Sequence, residues 1–145
     1  MNRQAGDKDE NTKRILVADN CLYNSLLLAT ILEREGNEVE IASCGYTAIA
    51  KIEANPPDIA LLDVMLTELD GYQVAQWIRY NQPSVAVLLM TAAADGIGDR
   101  LFPFRIRGYI SKPIDLQELL VRIEFFKIVS FPNSITEQFE KSVVY

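Results

Sequence analysis

The sequence predicts an α/β fold, a doubly wound five-stranded parallel sheet covered by helices on both faces. Three observations carry that expectation. Short apolar runs recur along the chain, stretches of helical periodicity separate them, and 145 residues suffice for one domain that buries about 68–70% of its unfolded surface.

Ile15-Leu16-Val17-Ala18, Ile59-Ala60-Leu61-Leu62 and Val85-Ala86-Val87-Leu88-Leu89-Met90 are too short for buried helices and read as buried parallel strands. Glu38-Val39-Glu40-Ile41 alternates polar and apolar, as a half-exposed edge strand does, and Gly108 to Ser111 is a short fifth. Leu22, Leu26, Ala29 and Leu32 or Glu33 follow the spacing of one helix face, with Gly36 at the C-terminal cap position. Helices are expected near 45–54 and 71–80. A last apolar stripe runs through Leu116, Leu119, Leu120, Ile123 and Phe126, with Asp115 placed to favour the helix dipole. Five such strand-helix units require right-handed crossovers. The expected organisation is a polar leader over 1–12, one domain over 13–128 and a C-terminal extension over 129–145, where Pro132-Asn133-Ser134 breaks the helical pattern.

Composition removes several functions. Residues are 49% hydrophobic and 23% charged, a soluble globular balance, and no apolar run approaches the roughly 20 residues of a bilayer span, so no membrane contact is expected. Met1 to Lys13 lacks the apolar stretch of a secretory signal, which makes the cytoplasm the expected location. A net charge of −6 with no basic stripe argues against direct nucleic-acid binding. There is no histidine, so Ser/His and Cys/His nucleophile pairs and His-ligated metals are excluded. Cys21 and Cys44 form no CxxC pair and read as buried or half-buried thiols.

Functional groups of an open parallel sheet collect beyond the carboxyl ends of its strands. The first run ends in Asp19-Asn20, the third in Asp63, the fourth in Thr91, and the fifth is followed by Lys112-Pro113. Asp63 suits a carboxylate nucleophile, while Asp19 and Asn20 offer oxygens to a hard cation such as Mg2+, which takes one or two carboxylates plus waters. Lys112 adds a positive charge and Thr91 a hydrogen bond. Those are the requirements of phosphoryl transfer to a carboxylate, where positioning and charge stabilisation do most of the chemistry.

With Ile15-Leu16-Val17-Ala18-Asp19, Leu61-Leu62-Asp63-Val64-Met65, Asp70-Gly71-Tyr72, Met90-Thr91-Ala92 and Tyr109-Ile110-Ser111-Lys112-Pro113 in order, the chain resembles the response-regulator receiver domains of two-component signalling over about residues 13–128. The resemblance implies the flavodoxin-like strand order 2-1-3-4-5. It makes Asp63 the phosphoacceptor, Thr91 the switch hydroxyl, Tyr109 the switch aromatic and Lys112 the lysine on the phosphoryl group. Asp19, Asn20, Asp63 and the Met65 carbonyl become the Mg2+ ligands. The implied domain is not an enzyme with a separate substrate, but a phosphoacceptor that assists its own Mg2+-dependent phosphorylation and dephosphorylation. Its implied partners are a histidine kinase or phosphotransfer protein and an output protein of unknown identity; a homodimer is left open. Phosphorylation would draw Thr91 toward Asp63 and rotate Tyr109 inward, reshaping the face built by the fourth helix, fifth strand and fifth helix. The Lys112–Pro113 bond is expected to be cis, which proline permits at modest cost.

Three features depart from the family pattern. Asn20 stands where a second acidic residue is the direct metal ligand; a unit charge pair at about 4 Å is worth roughly 4 kcal/mol at an effective dielectric near 20, so Mg2+ is expected to bind weakly. Thr67 replaces the usual proline of the loop after Asp63. Asp95-Gly96-Ile97-Gly98 and Phe102-Pro103-Phe104 occupy the fourth-helix position and predict a short or distorted helix, because an interior proline alone costs ~3 kcal/mol; Phe102 and Phe104 offer a partner-binding patch.

Each residue also has a plainer reading. Asp63 is open to being a surface loop carboxylate, Lys112 a solvated lysine before a turn, Thr91 or Asn20 a helix cap, Tyr109 a half-buried strand aromatic; Trp77 reads as packing. The competing function is a degenerate receiver acting as a phosphorylation-independent binding module. A haloacid-dehalogenase-type phosphatase would need Asp at position 65, which is Met, and a flavodoxin would need a Thr/Ser/Gly-rich loop where Asn20-Cys21-Leu22-Tyr23 stands.

Overall fold

The computed structural model describes residues 12–92 and 108–128. In chain order these form β1 (Arg14–Ala18), α1 (Leu22–Arg34), β2 (Glu38–Ala42), α2 (Gly45–Ala54), β3 (Ile59–Asp63), α3 (Gly71–Asn81), β4 (Ala86–Thr91), β5 (Gly108–Ser111) and α4 (Leu116–Ile128). All five strands pair in parallel, in the order β2-β1-β3-β4-β5. The expected fold class, strand order and strand positions are therefore observed. The expectations for the leader, for the fourth-helix region with Phe102 and Phe104, and for the C-terminal extension lie outside the described residues.

Alternation along the central strands divides the interior into two apolar layers. Leu16, Ala18, Ala60, Leu62, Val87 and Leu89 face one side, where they pack with Ala48 and Ile52 of α2 and Val74, Ala75 and Ile78 of α3. Ile15, Val17, Ile59, Leu61, Leu88 and Met90 face the other, with Leu28 and Leu32 of α1 and Leu119 and Ile123 of α4. Both faces of β3 are thus buried, which explains its unbroken apolar run. At the sheet margin β2 alternates exposed and covered residues, as its sequence foretold.

The helix boundaries have local causes. Gly36 follows the end of α1 with φ +89, a left-handed conformation that glycine adopts without steric penalty. Asp70 caps α3: its carboxylate accepts from the Gln73 N–H while the Gln73 side chain accepts from the Asp70 N–H, a reciprocal capping box. Asp115 accepts from the Glu118 N–H at the start of α4.

Two expectations about side-chain placement are corrected. The buried face of α1 is Ser25, Leu28, Ala29 and Leu32, while Leu22 and Leu26 are exposed. Leucines at 22, 26, 27 and 28 permit two helical registers, and the sheet selects the one that brings Ser25 under the β1–α1 turn, where its hydroxyl donates to the Asp19 carbonyl at 3.4 Å. Cys21 is an exposed thiol because it precedes the first turn of α1 on the outside of that bend; Cys44 is half-buried, and its sulfur lies 3.1 Å from the Thr47 hydroxyl.

Candidate functional site

The order β2-β1-β3 means that the chain leaves β1 to one side and β3 to the other. Such a reversal opens a crevice beyond the carboxyl ends of the two strands. Asp19 follows β1 immediately and Asp63 closes β3, while Ala18 pairs with Leu62, so the two carboxylates rise side by side from adjacent strands. Asp63 in turn pairs with Met90, which places Thr91 one step further along β4. Thr91 pairs with Ser111, and its carbonyl accepts from the Lys112 N–H at 2.8 Å. Four segments spread over the chain are thereby brought to one edge of the sheet.

Asp19 and Asp63 are buried to 1% and 3% exposure, so each charge must be compensated within the protein. The Lys112 Nζ does this for both, donating to Asp19 Oδ2 at 2.9 Å and to Asp63 Oδ2 at 3.0 Å. The remaining carboxylate oxygens accept backbone donors: the Cys21 N–H reaches Asp19 Oδ1 at 2.8 Å and the Met65 N–H reaches Asp63 Oδ1 at 3.0 Å. Burial by itself would lower the Lys112 pKa. Hydrogen bonds to Asp19 and Asp63, with the attraction of both charges, overcome that effect and hold it above the usual lysine value. Two carboxylates and one ammonium leave the cluster with one net negative charge.

The β3–α3 loop forms the wall beside Asp63. Its Thr67 carbonyl accepts from both the Gly45 N–H and the Leu69 N–H, the latter closing a γ-turn about Glu68, whose φ is +70. Gly71 lies so close beneath the site that a Cβ there would stand 2.5 Å from the Asp63 carbonyl oxygen and 2.9 Å from the Val64 Cα. Asn20 is exposed on the opposite lip, and its side-chain N–H reaches across to the Met65 carbonyl at 3.4 Å. The Met65 side chain itself turns to solvent. Tyr109 is half-buried on β5, packed against the α2–α3 layer, and Thr91 is buried at the end of β4. The Lys112–Pro113 bond is cis, as expected.

Asp19, Asp63 and Lys112 therefore meet in direct contact, Asn20 and Met65 touch one another beside them, and Thr91 and Tyr109 occupy successive strands along the same edge. Sequence reading missed Ser25, which supports the site from below, and took Gly71 only as part of a motif without its close approach to the Asp63 backbone. Ser25 carried no signal among leucines, whereas the Asp70–Gln73 capping pair was a readable mark that the chain bends sharply just before Gly71. Among the described residues no three His, Cys, Asp or Glu side chains gather as a metal cage. The oxygens on hand still suit Mg2+, which needs only one or two carboxylates besides carbonyl, amide and water oxygens.

A family model described as the response regulator receiver domain matches residues 15–124. The chain is 34% identical over 114 residues to the alkaline phosphatase synthesis transcriptional regulatory protein PhoP of Bacillus subtilis, covering 77% of this chain and 47% of that protein. It is 37% identical over 123 residues to the response regulator PleD of Caulobacter vibrioides, covering 80% of this chain and 27% of PleD. It thus spans about half or less of the length of these relatives. Among solved structures, a CheY-like response regulator receiver domain protein from Methanospirillum hungatei superposes with a TM-score of 0.76 at 27% identity, covering 88% of this chain and 98% of that one.

Proposed function

The chain belongs to the response regulator receiver domain family of two-component signalling, and on that premise we propose that Asp63 accepts a phosphoryl group from a phosphohistidine of a partner kinase or phosphotransfer protein. The observation that carries this reading is the Lys112 ammonium held between two buried carboxylates, Asp19 and Asp63. The chain contains no histidine, so the donor imidazole belongs to another protein or to a segment outside these residues.

An Asp63 carboxylate oxygen attacks phosphorus, the P–N bond to the donor breaks, and its electron pair leaves on the imidazole. Lys112 already contacts the attacking carboxylate and, once the phosphoryl group is attached, provides a charge for its oxygens without a large movement. The Met65 N–H keeps the carboxylate oriented. Thr91, on the adjacent strand, supplies the hydroxyl that follows the new charge, and Tyr109 on the next strand takes up the displacement as the switch aromatic. Mg2+, when bound at this edge, would supply further positive charge to the reaction. Asp19, Asp63 and the Met65 carbonyl would hold it, weakly, because Asn20 brings no charge to the site.

The receiver unit is proposed to span 13–128. The net charge of −6 argues against direct nucleic-acid contact by this chain. Among the described residues no helix is long and apolar enough to cross a membrane. The second reading, a degenerate receiver that binds partners without phosphorylation, draws its support from Asn20, whose amide rests on the Met65 carbonyl.

Intact-mass measurement separates the two. With saturating acetyl phosphate and Mg2+, the chain is expected to gain one phosphoryl group and Asp63→Asn none. No adduct on the unaltered chain would leave only the binding-module reading.

A further inference from the structure

We propose that Asn20 is a positioning residue that competes with a divalent cation for the Met65 carbonyl, acting as a latch in the cation's absence and an obstacle to its arrival. The inference rests on the reading of this edge as a Mg2+ site and goes beyond the missing charge. A carbonyl oxygen only accepts, so the Asn20 amide must turn its nitrogen toward Met65, which is the contact observed at 3.4 Å. In that orientation the amide oxygen points away from the carbonyl that a cation would share with Asp19 and Asp63. Asn20 is thus not a pre-set ligand of reduced strength.

The latch joins the β1–α1 turn to the β3–α3 loop, the two lips of the crevice. An aspartate at position 20 would set a third carboxylate beside Asp19 and Asp63 with Lys112 as the cluster's ammonium, and its acceptor oxygens would repel the Met65 carbonyl. A cation would then be needed to bring the lips together. With asparagine they already meet, and a cation must first break the amide contact. The amide is exposed and its contact long, so the latch can release.

Two readings of Asn20 make opposite predictions for its removal. If Asn20 is a weak ligand, Asn20→Ala lowers Mg2+ affinity. If it is a competing donor, Asn20→Ala frees the Met65 carbonyl and a water takes the vacated coordination position. The test is thermal unfolding of the full 145-residue chain, of Asn20→Ala and of Asn20→Asp over a series of MgCl2 concentrations, with dissociation constants taken from the rise of the midpoint, since a ligand of the native state stabilises in proportion to ln(1 + [L]/Kd). The expected order is Asp tightest, by about tenfold or more over the unaltered chain, and Ala equal to or tighter than Asn. An Ala variant that binds Mg2+ more weakly than the unaltered chain overturns the proposal, and so does an Asp variant with no Mg2+ response, because then no cation contests the carbonyl. Neither result depends on phosphorylation, which the mass measurement on Asp63 decides separately.

Discussion

Lys112 is the residue on which the site's charge balance turns. Its ammonium is the side-chain cation in contact with Asp19 and Asp63, both almost fully buried. Removing it leaves two adjacent carboxylates without a counter-charge, and breaking a buried pair in this way costs more than the pair itself contributed. Lys112→Met is therefore expected to lower unfolding free energy near neutral pH by about 2 kcal/mol or more, measured by urea denaturation. The pH dependence has a definite sign. The Lys112 pKa is raised in the folded protein, so its contribution is fully present below the ordinary lysine range and disappears only as pH climbs through the raised folded value. The gap between the unaltered chain and Lys112→Met should be constant around neutrality and narrow only in alkali. A gap that closes near pH 7 would show that another group governs it.

At the scale of elements, α1 shows how far periodicity alone can be trusted. Leu22, Leu26, Leu27 and Leu28 are chemically equivalent in the sequence, yet Leu28 is 4% exposed against the sheet and Leu26 is 51% exposed. Leu28→Ala is expected to cost about 2–4 kcal/mol through lost burial and a residual cavity, whereas Leu26→Ala should stay within about 0.5 kcal/mol of the unaltered chain. Equal losses in a denaturant titration would mean that α1 packs in the other register. The β3–α3 loop is an element of a different kind, fixed by the Asp70–Gln73 box, by the γ-turn at Glu68 and by the close approach of Gly71 to Asp63. Its geometry sets the Met65 N–H and carbonyl to opposite duties, one toward Asp63 and the other toward Asn20.

Across the whole molecule, one sheet serves as the common wall of two apolar layers, because successive residues of each inner strand belong alternately to one layer and the other. Trp77 packs against the α2–α3 layer, while Ile123 of α4 lies in the opposite one. Ile123→Ala is thus expected to lower the unfolding midpoint read by Trp77 fluorescence as much as the midpoint read by far-ultraviolet circular dichroism, the mark of a single cooperative transition. Separate midpoints would mean that the two layers melt independently. The same sheet explains how much of this protein was legible beforehand. Apolar runs of strand length separated by helical periods specify a parallel α/β fold through burial alone, and strand ends specify which residues stand at its working edge; Asp19, Asp63, Thr91 and Lys112 were all found that way. Contact is a different matter, because it depends on register between segments far apart in sequence. Only the tertiary structure decided that Lys112 bridges both carboxylates, that Ser25 rather than Leu22 faces inward, and that the Asn20 amide presents its nitrogen to Met65. A sequence fixes the chemical kind of each group, but the distance and direction between two groups arise from the packing of the elements that carry them.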